Sequence, residues 1–174
     1  MKYKYLSNWK NESKIKGLGL KTKLSIIDCN SLTNKLTSLP NHNFKVKVIS
    51  QTSLLSSRTS AYHLFDKVKA FGVFRKVILS TSLYPSIEAH TFMPQKHVSG
   101  RERFLKILGT KSLGTYILNS KRFRRIKTNY RMINDSIHRI SLYKFSKKIL
   151  YVDEVFPSSF EFSRLSFLKA RGKF

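Results

Sequence analysis

Two pairs of short strand-like segments, each pair joined by a short turn, limit the folds open to this chain. Residues 73–80 and residues 86–92 are rich in β-branched and aromatic side chains and flank a Tyr-Pro turn. Residues 141–145 and residues 149–156 flank the polar turn Ser146-Lys147-Lys148. Strands joined by so few residues pair antiparallel, because a parallel connection needs about a dozen residues or more. The sequence therefore predicts two β-hairpins.

Helical segments are predicted before and between the hairpins. The apolar residues at 24–39 fall at broadly helical spacing, and Ser31 is placed to cap a helix that begins near Leu32. A further helix is predicted over residues 99–108, and a second short one over residues 113–119. The core face of the first of these two helices is predicted to comprise Phe104, Leu105, Ile107 and Leu108.

Strands and helices in this order indicate an α+β fold, with one mixed or antiparallel sheet in a single domain. Residues 44–48 alternate apolar and polar and are predicted as another strand, whereas the Ser/Thr-rich residues 50–60 are interpreted as a loop or an irregular edge. The domain is expected to span residues 24–157. A basic N-terminal arm at residues 1–23 and a basic, aromatic tail at residues 158–174 are expected to flank it.

The chain carries 34 Lys and Arg residues against 9 Asp and Glu residues, so its formal net charge is +25. Such an excess can reflect binding to nucleic acid or merely a basic surface composition. The basic residues recur along the whole sequence, and only residues 121–125 form a dense run, which we interpret as a solvated face. Placement therefore favours surface composition, and a basic RNA-associated protein is kept as an alternative.

Several classes of protein are disfavoured. No uncharged apolar run is long enough to span a bilayer, and the N-terminus lacks the apolar centre of a secretory signal, so we expect a cytoplasmic protein without a membrane span. The single cysteine, Cys29, excludes an internal disulfide and a multi-cysteine zinc site. The five histidines show no metal-ligand spacing, and no metal site is expected.

Glu154 occupies an unfavourable position for a charged residue in the last predicted strand. Alternation places it on one face with Leu150, Val152 and Phe156, and places Asp153 on the other face. A carboxylate among apolar side chains is costly unless it is paired, hydrogen-bonded or protonated. Glu154 is therefore either half of a structural ion pair, a strand-end residue that reaches solvent, or a functional group.

Arg75 poses the same question with the opposite charge. It shares a strand face with Val73, Val77 and Leu79. An inward guanidinium suits bidentate binding of a carboxylate in a closed pocket, although pairing with Glu154 would also explain it.

Gly109 and Gly114 bound a segment that is open to two interpretations. A helix that starts near Leu113 would present free N–H groups suited to an anion. A glycine helix end followed by a new helix start explains the segment equally well.

Ordered motifs follow one another along most of the chain. They are Asn30-Ser31-Leu32-Thr33, the strand-turn-strand unit at residues 73–94, Ser99-Gly100, Leu108-Gly109, Ser112-Leu113-Gly114-Thr115-Tyr116, Arg139-Ile140-Ser141 and residues 149–157. Their order and spacing resemble the chorismate lyase family. In that family a Ser-Gly opens a helix, a Leu-Gly ends it, a Pro-Leu-Gly follows, an Arg-Arg-Ser begins a strand, and a Glu precedes a Phe-Leu-Pro end.

The resemblance implies an activity and a set of site residues. It implies conversion of chorismate to 4-hydroxybenzoate and pyruvate, the first committed step of ubiquinone biosynthesis, without cofactor or metal. By position, Arg75 and the backbone N–H of Leu113 would bind the substrate carboxylate. Glu154 and the main chain of Leu32 would meet the ring 4-oxygen. The implied fold is an antiparallel sheet with helical flaps over an enclosed pocket, and the expected assembly is a monomer.

Four features depart from the family pattern. Ser112 stands where the family has proline, Ile140 stands where it has the second arginine, and Phe156-Pro157 lacks the intervening leucine. His90 stands where the family commonly has an arginine. If that arginine helps to hold the enolpyruvyl carboxylate or the pocket wall, His90 would do so only in part, which would weaken activity. The alternative to an enzyme on this fold is a non-catalytic small-molecule-binding domain, as in some transcription regulators.

Overall fold

The computed structural model describes residues 22, 25–26, 31–38, 41, 43–60, 62, 69–119 and 122–161, and its centre is one antiparallel sheet. Cys29, His42, His63 and most of the expected arm and tail lie outside the described residues. The six strands run in the order β1-β2-β3-β6-β5-β4 across the sheet. They are β1 (Lys45–Leu55), β2 (Phe71–Ser80), β3 (Ile87–Pro94), β4 (Arg124–Ile133), β5 (Ser136–Phe145) and β6 (Lys148–Pro157). The predicted α+β class with an antiparallel sheet is confirmed.

Both predicted hairpins are present. Strands β2 and β3 pair antiparallel from Gly72↔Pro94 to Leu79↔Ile87. Strands β5 and β6 pair from Ser136↔Pro157 to Phe145↔Lys148 around a tight turn in which Ser146 has a φ of 51°. Strand β5 therefore begins five residues earlier than predicted.

The two edge strands were the weakest part of the sequence prediction. Arg124 and Arg125 open β4, so the basic run interpreted only as a solvated face belongs in part to a strand. Of the segment interpreted as a loop or irregular edge at residues 50–60, the part up to Leu55 belongs to edge strand β1, which continues past a bulge between Val48 and Ser50. Edge strands tolerate charged and polar side chains because one side of each meets solvent, so neither segment shows a clean strand pattern.

Two short α-helices lie where they were predicted. Helix α1 (Leu32–Thr37) begins after Ser31, whose Oγ accepts a hydrogen bond from the backbone N–H of Asn34 at 3.1 Å. Helix α2 is Leu113–Asn119.

The helix predicted over residues 99–108 is a 3-10 helix, Gly100–Ile107. Its predicted core face is partly wrong, because Leu105 and Leu108 are buried whereas Ile107 is 81% exposed. Side chains three residues apart eclipse in a 3-10 helix, so Leu105 and Leu108 share a side and Ile107 faces solvent.

One face of the sheet carries two apolar clusters with a gap between them. Val77, Leu79 and Phe156 belong to one cluster, which also takes in Leu32 and Leu36 of α1. Val73 and Leu150 belong to the other, which packs against the 3-10 helix and α2. The inward residues between these two groups are Arg75, Thr91, Val152 and Glu154.

Segments at both ends of the expected domain contribute to the core. Phe160, which falls in the expected tail, is fully buried and packs on Phe156 with ring centroids 5.2 Å apart. Thr22, which falls in the expected arm, is buried and donates a hydrogen bond to Glu161 at 3.1 Å.

Candidate active site

A cavity lies between the two apolar clusters, with the sheet as its floor and the first turns of α1 and α2 as its cover. All four residues singled out from the sequence line it: Leu32, Arg75, Leu113 and Glu154. Further polar residues in its wall are Thr33, Thr91, Lys111, Ser112, Arg139 and Tyr143.

Arg75 enters the cavity wall from the middle of β2 and is only 5% exposed. Its Nη1 donates to Gln51 Oε1 at 3.1 Å, and its Nη2 donates to the carbonyls of Gly109 at 2.6 Å and Lys111 at 3.5 Å. Burial lowers the pKa of Arg75, but a guanidinium stays ionised in proteins. These neutral acceptors orient the group without cancelling its charge, and among the described residues no carboxylate pairs with it. The cavity therefore offers a buried cation to an anionic ligand.

Glu154 lies in the same wall, but its partner is not Arg75. Arg139 of β5 donates from Nε to Glu154 Oε2 at 2.7 Å, and the two residues are Cα partners across β5 and β6. The possibility that Arg75 pairs with Glu154 is therefore wrong. Strand β3 separates β2 from β6, which leaves Arg75 and Glu154 two strands apart.

Arg139 is the site residue that the sequence analysis missed as a chemical group. It is 1% exposed, lines the cavity and also donates from Nη1 to the carbonyl of Ile26 at 2.7 Å. The signal for it was available, because alternation along β5 places Arg139 inward with Ile137 and Ser141. Starting β5 at residue 141 removed Arg139 from the strand and hid this pattern.

The cover of the cavity is joined by one hydrogen bond between its two helical segments. Thr33 in α1 and Ser112, which precedes α2, place their hydroxyl oxygens 3.0 Å apart. Leu32 and Leu113 are the first residues of the two helices. A first helical residue has a backbone N–H without an acceptor in its own helix, so the Leu113 amide is available to a ligand of the cavity.

His90 does not reach the cavity, which corrects the expectation attached to it. Ala89 and Thr91 line the cavity, so alternation along β3 directs His90 to the opposite face of the sheet. There its Nε2 lies 2.6 Å from Glu88 Oε1 and its Nδ1 lies 3.9 Å from Asp153 Oδ2. His90 therefore cannot substitute for a cavity arginine.

Asp153 and Glu154 point to opposite faces, as alternation predicts. Asp153 is 3% exposed, accepts a hydrogen bond from Ser60 Oγ at 2.6 Å and lies 3.3 Å from His138 Nδ1. Burial would raise the pKa of Asp153, but hydrogen bonds from His138, His90 and Ser60 outweigh it and lower that pKa to about 2. This cluster stabilises the back of the sheet and contributes nothing to the cavity.

The charge of the cavity wall suits a dianion. Among the described residues that line it, the charged side chains are those of Arg75, Lys111, Arg139 and Glu154. In the described part of the chain, no group of three or more His, Cys, Asp or Glu residues is arranged to hold a metal ion. None of the helices described is long and apolar enough to cross a membrane.

The sequence of this chain is similar to that of a known protein family. A probable chorismate pyruvate-lyase of Psychromonas ingrahamii is 30% identical over 153 residues, which cover 77% of this chain and 81% of that protein. The crystal structure of a GntR-family transcriptional regulator from Bacillus cereus is similar with a TM-score of 0.45 and 18% identity, over 70% of this chain and 96% of that one. The profile of the chorismate lyase family matches residues 5–166, and the chain therefore belongs to that family.

Proposed function

We propose that this protein is a chorismate pyruvate-lyase, which converts chorismate to 4-hydroxybenzoate and pyruvate. The observation that carries the proposal is the pairing, in one covered cavity, of a buried arginine that no described carboxylate neutralises with a buried glutamate held at the other side. The registers Arg75↔Thr91 and Thr91↔Val152 put two strand spacings, about 10 Å, between β2 and β6. Two long inward side chains at that separation suit the opposite ends of a ring.

The substrate would lie with its ring carboxylate at Arg75 and the Leu113 amide. A guanidinium binds a carboxylate in a fixed, fork-like geometry, which sets the orientation of the ring. The ring 4-hydroxyl would then donate to Glu154, with the main chain of Leu32 beside it. The second carboxylate of chorismate would balance the remaining positive charge of the wall. Lys111 is the exposed cation of that wall and would meet this carboxylate.

The reaction requires no covalent bond between the substrate and the protein. The bond between C3 and the enolpyruvyl oxygen breaks, a hydrogen leaves C4, and the ring becomes aromatic. That proton ends on the methyl carbon of pyruvate, so atoms balance without a cofactor or an oxidant. The protein contributes by holding the reactive conformer in a cavity that excludes water.

The cellular setting follows only from the family resemblance. We propose a cytoplasmic enzyme whose 4-hydroxybenzoate enters ubiquinone biosynthesis. The excess of surface charge would assist the approach of a dianionic substrate at low ionic strength.

The test is incubation of the purified protein with chorismate, without added metal. We expect release of 4-hydroxybenzoate and pyruvate in equal amounts. Chromatography measures the 4-hydroxybenzoate, and a coupled assay measures the pyruvate. Release no faster than the spontaneous reaction would refute the proposal. Binding of chorismate without turnover would instead support a small-molecule-binding domain, and salt-dependent retention on RNA would support the RNA-associated alternative.

A further inference from the structure

Arg139 is held from several sides, and only one of them is the carboxylate. Its Nε donates to Glu154 Oε2, and its Nη1 donates to the Ile26 carbonyl, both at 2.7 Å. Its guanidinium carbon lies 5.4 Å from the centre of the Phe156 ring, within the range of a cation–π contact. A side chain tied to two elements and to an aromatic ring has little freedom to change its rotamer.

Arg139 contacts only one of the two carboxylate oxygens of Glu154. Oε2 is taken by Arg139, whereas within the described residues no group donates to Oε1. Both residues line the cavity. A hydrogen-bond donor on a ligand in the cavity would therefore meet Oε1.

The contact at 2.7 Å also fixes where the Glu154 carboxylate lies. Its neighbours on the strand face, Val152 and Phe156, are apolar, so Arg139 is the described group that orients the carboxylate. A carboxylate can only accept hydrogen bonds. The cavity therefore discriminates in favour of a ring that carries a donor at this position.

We propose that Arg139 is a positioning residue that holds the Glu154 carboxylate at Oε2 and directs Oε1 toward the hydroxyl group of the bound ring, so that Arg139 sets the selectivity for hydroxylated ligands. The inference rests on the proposed function, since it takes a 4-hydroxylated ring as the ligand. Arg139 touches no substrate atom in this arrangement and acts through Glu154.

The test compares two ligands that differ by the hydroxyl group alone. The affinities of 4-hydroxybenzoate and benzoate are measured by calorimetry for the wild type, Arg139→Gln and Arg139→Lys. We expect the wild type to prefer 4-hydroxybenzoate by about tenfold to hundredfold, the range for a hydrogen bond to a charged group. Arg139→Gln should lose most of that preference while its benzoate affinity changes by less than about threefold, since Arg75 and Leu113 bind the carboxylate.

The conservative variant separates positioning from simple structural support. Arg139→Lys keeps a charge but not the planar fork, so it should retain an intermediate preference, and it serves also if Arg139→Gln does not fold.

The outcomes distinguish a failure of the proposed function from a failure of the role proposed for Arg139. If the wild type binds neither ligand, the proposed function is wrong and this inference falls with it. If the wild type prefers 4-hydroxybenzoate but the Arg139 variants lose both ligands to the same extent, the arginine is structural and only the present inference is overturned. An unchanged preference in the folded variants would overturn it equally.

Discussion

Replacing Gly114 with alanine tests how closely the two helices over the cavity approach each other. A Cβ at Gly114 would lie 2.2 Å from Thr33 Oγ1 and 3.1 Å from Thr33 Cβ. Thr33 is 5% exposed, and its hydroxyl is already engaged with Ser112 at 3.0 Å. A β-branched side chain on a helix has few rotamers, so Thr33 cannot turn aside without losing this bond.

The expected cost is the difference between two opposing effects. Overpacking of a tight contact costs about 1–3 kcal/mol, whereas alanine in place of glycine in a helix gains about 0.5–1 kcal/mol. We therefore expect Gly114→Ala to lower the free energy of unfolding by about 1–2 kcal/mol. For a chain of this length that corresponds to a fall in Tm of about 2–8 °C, measured by calorimetry.

A double-mutant cycle supplies the control. Thr33→Ala alone should cost about 1 kcal/mol through the lost hydrogen bond to Ser112. In the double variant Oγ1 is absent and the collision is largely relieved, so the combined loss should be smaller than the two single losses together. Thr33→Ser keeps the hydroxyl and should give no such relief. Additive losses, or a more stable Gly114→Ala protein, would show that the helices do not pack this closely.

The other predictions concern the two charged ends of the cavity and the back of the sheet. Arg75→Met should lower kcat/KM for chorismate by about 10²–10³, whereas Lys76→Met on the opposite face of β2 should not; equal effects would rule out carboxylate binding by Arg75. Glu154→Gln should lower kcat by more than about tenfold and spare benzoate binding, and a wild-type kcat would mark the carboxylate as structural. Asp153 has a folded-state pKa of about 2, below the ordinary 3.8, so its stabilisation is present above pH 3.8 and is lost as the pH falls toward 2. Urea unfolding between pH 6 and pH 2 should lose on the order of 2 kcal/mol from this group in the wild type, and a curve of the same shape for Asp153→Asn would contradict the assignment.

Local signals predicted the elements whose residues bury one face. The hairpin of β2 and β3 and helix α2 were predicted because apolar periodicity and turn residues are local. Strand β4 was missed because an edge strand rich in Arg and Lys lacks that periodicity. The extent of β1 was underestimated for the same reason, since its Ser and Thr side chains face solvent.

Some residues of the candidate site could be predicted from local sequence patterns, and others were missed. Arg75 and Glu154 were recognised from the sequence because a charge at an inward strand position is costly wherever the strand lies. Arg139 obeys the same rule and was missed only through a late start for β5. A partial role for His90 in the cavity was considered only by analogy with the family arginine, whereas the alternation that identified Arg75 places His90 on the other face.

The sequence by itself therefore determined the antiparallel hairpins, the inward positions of Arg75 and Glu154 and the outward position of Asp153, because a period of two is a property of each strand alone. Only the tertiary structure decided which charges meet. Strand order places β3 between β2 and β6 and sets β5 beside β6, so Glu154 pairs with Arg139 and Arg75 keeps an uncompensated charge among the described residues. Pairing between strands distant in sequence depends on the packing of the whole sheet, which no single segment encodes.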